Sequence, residues 1–186
     1  MGQYYKPVVL DKTKKKPINW VYSHKYENGL KLMEHSWLGN NFVGAVENLL
    51  IPGGEWYMKP IVWAGDYADC ENNAEYNLYS KCEDDNEINP TETKIGSEYR
   101  YIVNHTKKQF VDKTKVPLSD VFDNGAEKFE YRIHPLPLLT CEGNGRGGGD
   151  YGGEEDIVGS WARDVISIEI EEPIAMKELE FNLVER

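Results

Sequence analysis

Asn40-Asn41-Phe42-Val43-Gly44-Ala45-Val46-Glu47-Asn48-Leu49-Leu50-Ile51-Pro52-Gly53-Gly54 is the one long stretch of this chain in which apolar residues return at helical spacing. Phe42, Val43, Val46, Leu49 and Leu50 share a face of a 3.6-residue repeat, which predicts a helix from Asn41 to Ile51. Asn40 carries the short polar side chain that accepts from free N–H groups at a helix start, and Pro52-Gly53-Gly54 ends the element. Directly beyond it, Lys59 to Trp63 reads as a buried strand that delivers Gly65, Asp66, Tyr67 and Asp69 at its end.

Outward from this helix the chain reads as short strands. Tyr4 to Leu10 and Asn19 to Ser23 form an opening strand pair around a Lys-rich turn that contains Pro17. Tyr99 to Asn104 and Gln109 to Lys113 make a β-hairpin around His105-Thr106-Lys107-Lys108. Ser119 to Asp123 is expected to form one helical turn, and Lys128 to His134 a strand running into Pro135-Leu136-Pro137. Asp164 to Glu171 alternates Val165, Ser167, Glu169 and Glu171 with Ile166, Ile168 and Ile170, a half-buried strand, and Leu179 to Val184 is the expected last strand. The sum is an α+β fold, mainly antiparallel sheet with one principal helix packed on it. One domain over residues 1–186 is expected, with a mobile acidic loop at 70–97, where the composition turns to Glu, Asn, Asp and Lys.

Composition removes several function classes. A formal net charge of −11 opposes a general nucleic-acid grip, which needs a basic face. Lys12, Lys14, Lys15 and Lys16 form the one basic cluster, read as a solvated turn. Cys70, Cys82 and Cys141 are too few and too scattered for a disulfide framework or a zinc knuckle. No apolar run reaches the roughly 18 residues of a membrane span, and the N-terminal residues lack a signal-peptide core, so a cytoplasmic location is expected.

The strongest site signal is the run Gly143-Asn144-Gly145-Arg146-Gly147-Gly148-Gly149-Asp150-Tyr151-Gly152-Gly153. Glycine costs the most entropy to order, so such a run implies close backbone approach or simply a surface loop. The formal G-x-G-x-x-G at Gly143, Gly145 and Gly148 lacks the following helix of a dinucleotide site, and no Gly-Lys-Ser or Gly-Lys-Thr makes a P-loop. Backbone amides forming an anion nest, with Arg146 as a forked donor and Asp150 selecting a hydroxyl or amine, remain the ligand reading. Asp66-Tyr67 repeats the Gly-Asp-Tyr triplet of Asp150-Tyr151; the two either converge as a polar site or are separate turns. Trp161 is either a stacking platform or a core plug. His35 and His134 are candidate proton carriers or structural residues, and Cys141 near His134 is read as a buried thiol. Metal-dependent hydrolysis around Asp66, Asp69, Asp150 and a histidine is a third reading, and no metal ligand set or cofactor is assigned.

Met1-Gly2-Gln3-Tyr4-Tyr5-Lys6, Gly29-Leu30-Lys31-Leu32-Met33-Glu34-His35-Ser36 and Gly143 to Tyr151 together resemble a group of small uncharacterised bacterial and phage proteins. The resemblance covers most of the chain and transfers no functional residue. It implies a bacterial cytosol and a role between mobile elements and their hosts. Two functions are therefore expected: binding of a small anionic, nucleotide-like ligand, or an acidic interaction or inhibitor protein that covers a basic protein partner.

Overall fold

Pro60-Ile61-Val62-Trp63-Ala64 is apolar without alternation, the pattern of a strand covered on both faces. A computed structural model, which describes residues 2–123, 125–144, 151–152 and 155–185, places it at the centre of the main sheet. This strand, β3 (Lys59–Gly65), lies between β1 (Tyr5–Leu10) on one edge and β10 (Val165–Glu169) on the other. Where β10 leaves its second edge, β8 (Cys141–Glu142) joins in parallel, pairing Trp63 with Cys141. The sheet continues from β1 to β2 (Pro17–Trp20), and from β10 through β4 (Tyr101–Asn104) and β5 (Gln109–Asp112) to β11 (Lys177–Glu178). Apart from the β3–β8 and β5–β11 pairs, the ladders of this sheet are antiparallel.

Alternation along each strand supplies two cores. Val9, Ile61, Trp63, Ile102, Ile166 and Ile168 face the helix α1 (Asn41–Leu50) and the short helix α2 (Pro135–Thr140). On the reverse face Val8, Leu10, Val62 and Ala64 pack with Leu78, and Tyr101, Val103 and Phe110 are covered by Met176. The expected helix is therefore present, capped as its sequence indicates: the Asn40 side chain accepts from Val43 N at 3.0 Å.

Three expectations are corrected. Ser119 to Asp123 does not form a helical turn: Asp120–Asp123 is β6, paired antiparallel with β7 (Lys128–Tyr131). The turn passes through Gly125 at φ +82°, and Phe122 stands opposite Phe129, a cross-strand pair that outweighs the local helix preference. The strand from Lys128 stops at Tyr131, and the prolines after His134 begin α2 rather than a loop. Pro135 and Pro137 occupy first-turn positions, where the missing N–H has no intrahelical acceptor to lose. In place of a strand over Leu179 to Val184 there are two-residue strands at its ends, β11 and β12 (Val184–Glu185), the latter paired with β9 (Tyr151–Gly152).

The acidic excursion is tied down along its length. Trp20 Nε1 donates to Glu83 O and Asn86 Oδ1, both at 2.9 Å, and Tyr26 OH donates to Pro90 O at 2.6 Å. Asn48 Nδ2 on α1 then donates to Lys94 O at 2.9 Å. Segment 91–97 thus runs as a strap across α1, and it crosses at Gly44, where a Cβ would collide with the Thr93 carbonyl. Gly44→Ala removes a helix-interior glycine, which alone would add about 1 kcal/mol. The collision with backbone is expected to reverse that, giving a net loss of about 1–3 kcal/mol in urea denaturation. A net gain would mean that the strap yields freely.

Candidate functional site: a groove on helix α1

The strap and α1 enclose a groove of about 500 Å³, within the range of small-molecule sites. Leu38, Ile95 and Tyr99 form its apolar side, and Glu47, Lys94 and Lys113 are among its charged groups. Glu47 lies on the side of α1 that the sequence marks as polar, yet only 5% of its side chain is exposed, and it lines the groove together with residues of the strap. Lys113 follows β5 directly, where the strand end gives way to a 3-10 turn. It reaches across to Glu47 Oε1 at 2.5 Å, with 12% of its side chain exposed.

The third member comes from the start of α2. The Leu136 N–H donates to His134 Nδ1 at 3.1 Å, which caps the helix and fixes the ring proton on Nε2. Nε2 lies 3.0 Å from the same Glu47 Oε1, but out of line for a well-formed hydrogen bond. Burial opposes a charge on Glu47; His134 and Lys113 outweigh it and hold the carboxyl at about 2, so Glu47 is ionised at neutral pH. At the rim Arg100 grips Asp112 through two bonds, Nε to Oδ1 at 2.7 Å and Nη2 to Oδ2 at 2.5 Å. Burial likewise opposes the charge on Asp112, and the bonds from Arg100 and Thr114 lower its carboxyl to about 2. In a chain of net charge −11, Lys94, Arg100 and Lys113 line the groove with Glu47, and Arg100 is already paired with Asp112.

The residues singled out in the sequence lie elsewhere. His35 is fully buried, its Nδ1 against Gly29 O and its Nε2 accepting from Trp63 Nε1, both at 3.0 Å, which leaves neither ring nitrogen for a ligand. Trp161 is fully buried too and donates to Gln109 Oε1 at 3.0 Å, so it is a core side chain and not a stacking platform. Asp66 Oδ1 accepts from Tyr4 N at 2.9 Å and ties the end of β3 to the start of β1, while Tyr67 is exposed. Gly143 stands beside Gly65, where a Cβ would lie 2.7 Å from Glu142 O, so the end of β3 and the root of the glycine run do meet. The Gln3 amide holds Asn144 at both backbone groups, at 2.8 and 3.0 Å. Gly145, Arg146, Gly147, Gly148, Gly149 and Asp150 lie outside the described residues, as do the side chain of Tyr151 and the question of Asp66 meeting Asp150.

Cys141 is buried and its thiol donates to Leu138 O; burial pushes its pKa to about 12, which removes it as a thiolate nucleophile. Among the described residues no group of three or more His, Cys, Asp or Glu side chains is placed to hold a metal ion. No helix among the described residues is long and apolar enough to cross a membrane. Sequence reading considered His134 but missed Glu47 and Lys113. The available signal was Gly44, a glycine inside an apolar helix, which marks the close approach of another segment.

The fold is thus α+β, and its α1 groove is of small-molecule size and floored by a buried ion pair. No protein-family model, no curated protein and no solved structure matches the chain.

Proposed function

We propose that this protein binds a small anionic ligand, and that the groove on α1 receives it. The observation that supports this reading is Lys113, whose ammonium sits at a nearly dry groove floor with one hydrogen bond to Glu47 and donors to spare. A carboxylate or phosphate there gains a charge-assisted bond in a low dielectric, and Lys94 adds positive potential at the rim. The glycine run with Arg146 is the competing location for the same ligand class.

Thermal unfolding with nucleoside phosphates, dicarboxylates and simple carboxylic acids separates the two locations. Ser97, exposed on the groove rim, is replaced by Trp to fill it, and Arg146 by Ala. The expected result is a ligand-induced rise in Tm in the wild type and in Arg146→Ala that vanishes in Ser97→Trp. Loss in Arg146→Ala alone would move the site to residues 143–153.

A second reading rests on Glu83, Asp84 and Asp85, three consecutive exposed carboxylates on a turn that Trp20 holds in place. They suit salt-sensitive capture of a basic protein partner, as in an interaction or inhibitor protein that uses its excess carboxylates for steering. Capture that weakens when Glu83, Asp84, Asp85 and Glu87 are neutralised together would support it.

A further inference from the structure

We infer that the ligand of the α1 groove is an α-amino acid with an apolar side chain. The inference rests on the groove being the ligand site and adds a second charge to what that site recognises. Lys113 and His134 approach the same oxygen of Glu47, Oε1, at 2.5 Å and 3.0 Å. No hydrogen bond to Oε2 is seen among the described residues, and it is not one of the fully enclosed unpartnered atoms, so this oxygen of a groove-lining carboxylate stays within reach of a ligand. An ionised carboxylate oxygen in that setting calls for a donor.

Lys113 supplies the complementary half. Its ammonium lies beside Glu47, so the groove floor offers one negative acceptor and one positive donor side by side. The ammonium and carboxylate of an α-amino acid are likewise separated by a single carbon, and they exchange charges with this pair one for one. A ligand bearing only an anion would satisfy Lys113 and bring like charge to Glu47; one bearing only a cation would do the reverse. Leu38, Ile95 and Tyr99 then provide the wall for an aliphatic or aromatic side chain. The local charge is neutral in the complex, so the two charges of the ligand replace water at the pair without leaving a net charge on the groove floor.

Isothermal titration of the full chain with L-phenylalanine, L-leucine, 3-phenylpropionate, phenethylamine and AMP tests this directly. L-phenylalanine or L-leucine is expected to bind at least about tenfold more tightly than 3-phenylpropionate, which lacks the ammonium, or phenethylamine, which lacks the carboxylate. Ser97→Trp, altered at an exposed position, is expected to abolish that binding. If 3-phenylpropionate or AMP binds as tightly as the amino acids, the inference falls while the anion-binding reading stands. Amino-acid binding unchanged in Ser97→Trp would place the site elsewhere and overturn the inference. If no compound binds the wild type, the inference falls.

Discussion

Glu47→Gln is expected to destabilise the fold by about 3 kcal/mol, within the range for breaking a buried ion pair from one side. The amide keeps the shape of the carboxylate but removes the charge that compensates Lys113, whose side chain is 12% exposed. It also turns a pair of acceptor oxygens into one acceptor and one donor, facing two donors already in place, Lys113 Nζ and His134 Nε2. For a chain of this size the loss is a fall of roughly 6–12 °C in Tm. A double variant, Glu47→Leu with Lys113→Met, replaces the ion pair by apolar groups of similar length and is expected to recover most of the loss. Urea denaturation of the two variants beside the wild type decides the matter. A loss below about 1 kcal/mol in Glu47→Gln would show that water screens the pair as it does at a surface.

Acidification is expected to weaken the fold in two separate steps. His35 is buried against Phe42 and Trp63, and its burial lowers its pKa from 6.5 to about 4. Between these values the unfolded chain takes up a proton that the folded ring refuses. His35 therefore leaves stability complete above about pH 6.5 and removes about 3 kcal/mol by pH 4. Glu47 and Asp112 act below that window. Their folded pKa values, about 2, lie under their ordinary values of 4.5 and 3.8. Their contribution is present above those ordinary values and is lost as pH falls towards 2. Stability measured from pH 7.5 downwards should show the upper step shrink by more than half in His35→Gln, with the lower step unchanged. Half-buried His105 is also shifted down by burial and accounts for what remains of the upper step. An upper step of full size in His35→Gln would assign it to other groups.

How much of this was legible in the sequence depended on the range of the interactions. The α1 helix, its Asn40 cap, the β4–β5 hairpin and β3 rest on local periodicity and turn chemistry, and they appear where the sequence places them. Errors arose where a neighbour decided the outcome. Residues 120–123 became a strand because β7 lies alongside them. Pro135 and Pro137 were read as strand breakers when His134 was in a position to cap a helix. The groove was the least legible feature because Glu47 looks like any solvent-facing position of an amphipathic helix. Its burial and its partners Lys113 and His134 come from distant parts of the chain. The glycine run was legible as a composition but not as a location.

The strand order carries a consequence for biosynthesis. β3, made early, has β10 as the partner along half of one edge, and β10 is also what links it to the β4–β5 hairpin. Until residues 165–169 have left the ribosome, the two halves of the sheet have no strand to join them, and an apolar edge of β3 stays unpaired. Closure by such distant segments is slow compared with the folding of hairpins and helices. The nascent chain therefore passes through an interval in which part of a β-edge is open to wrong partners.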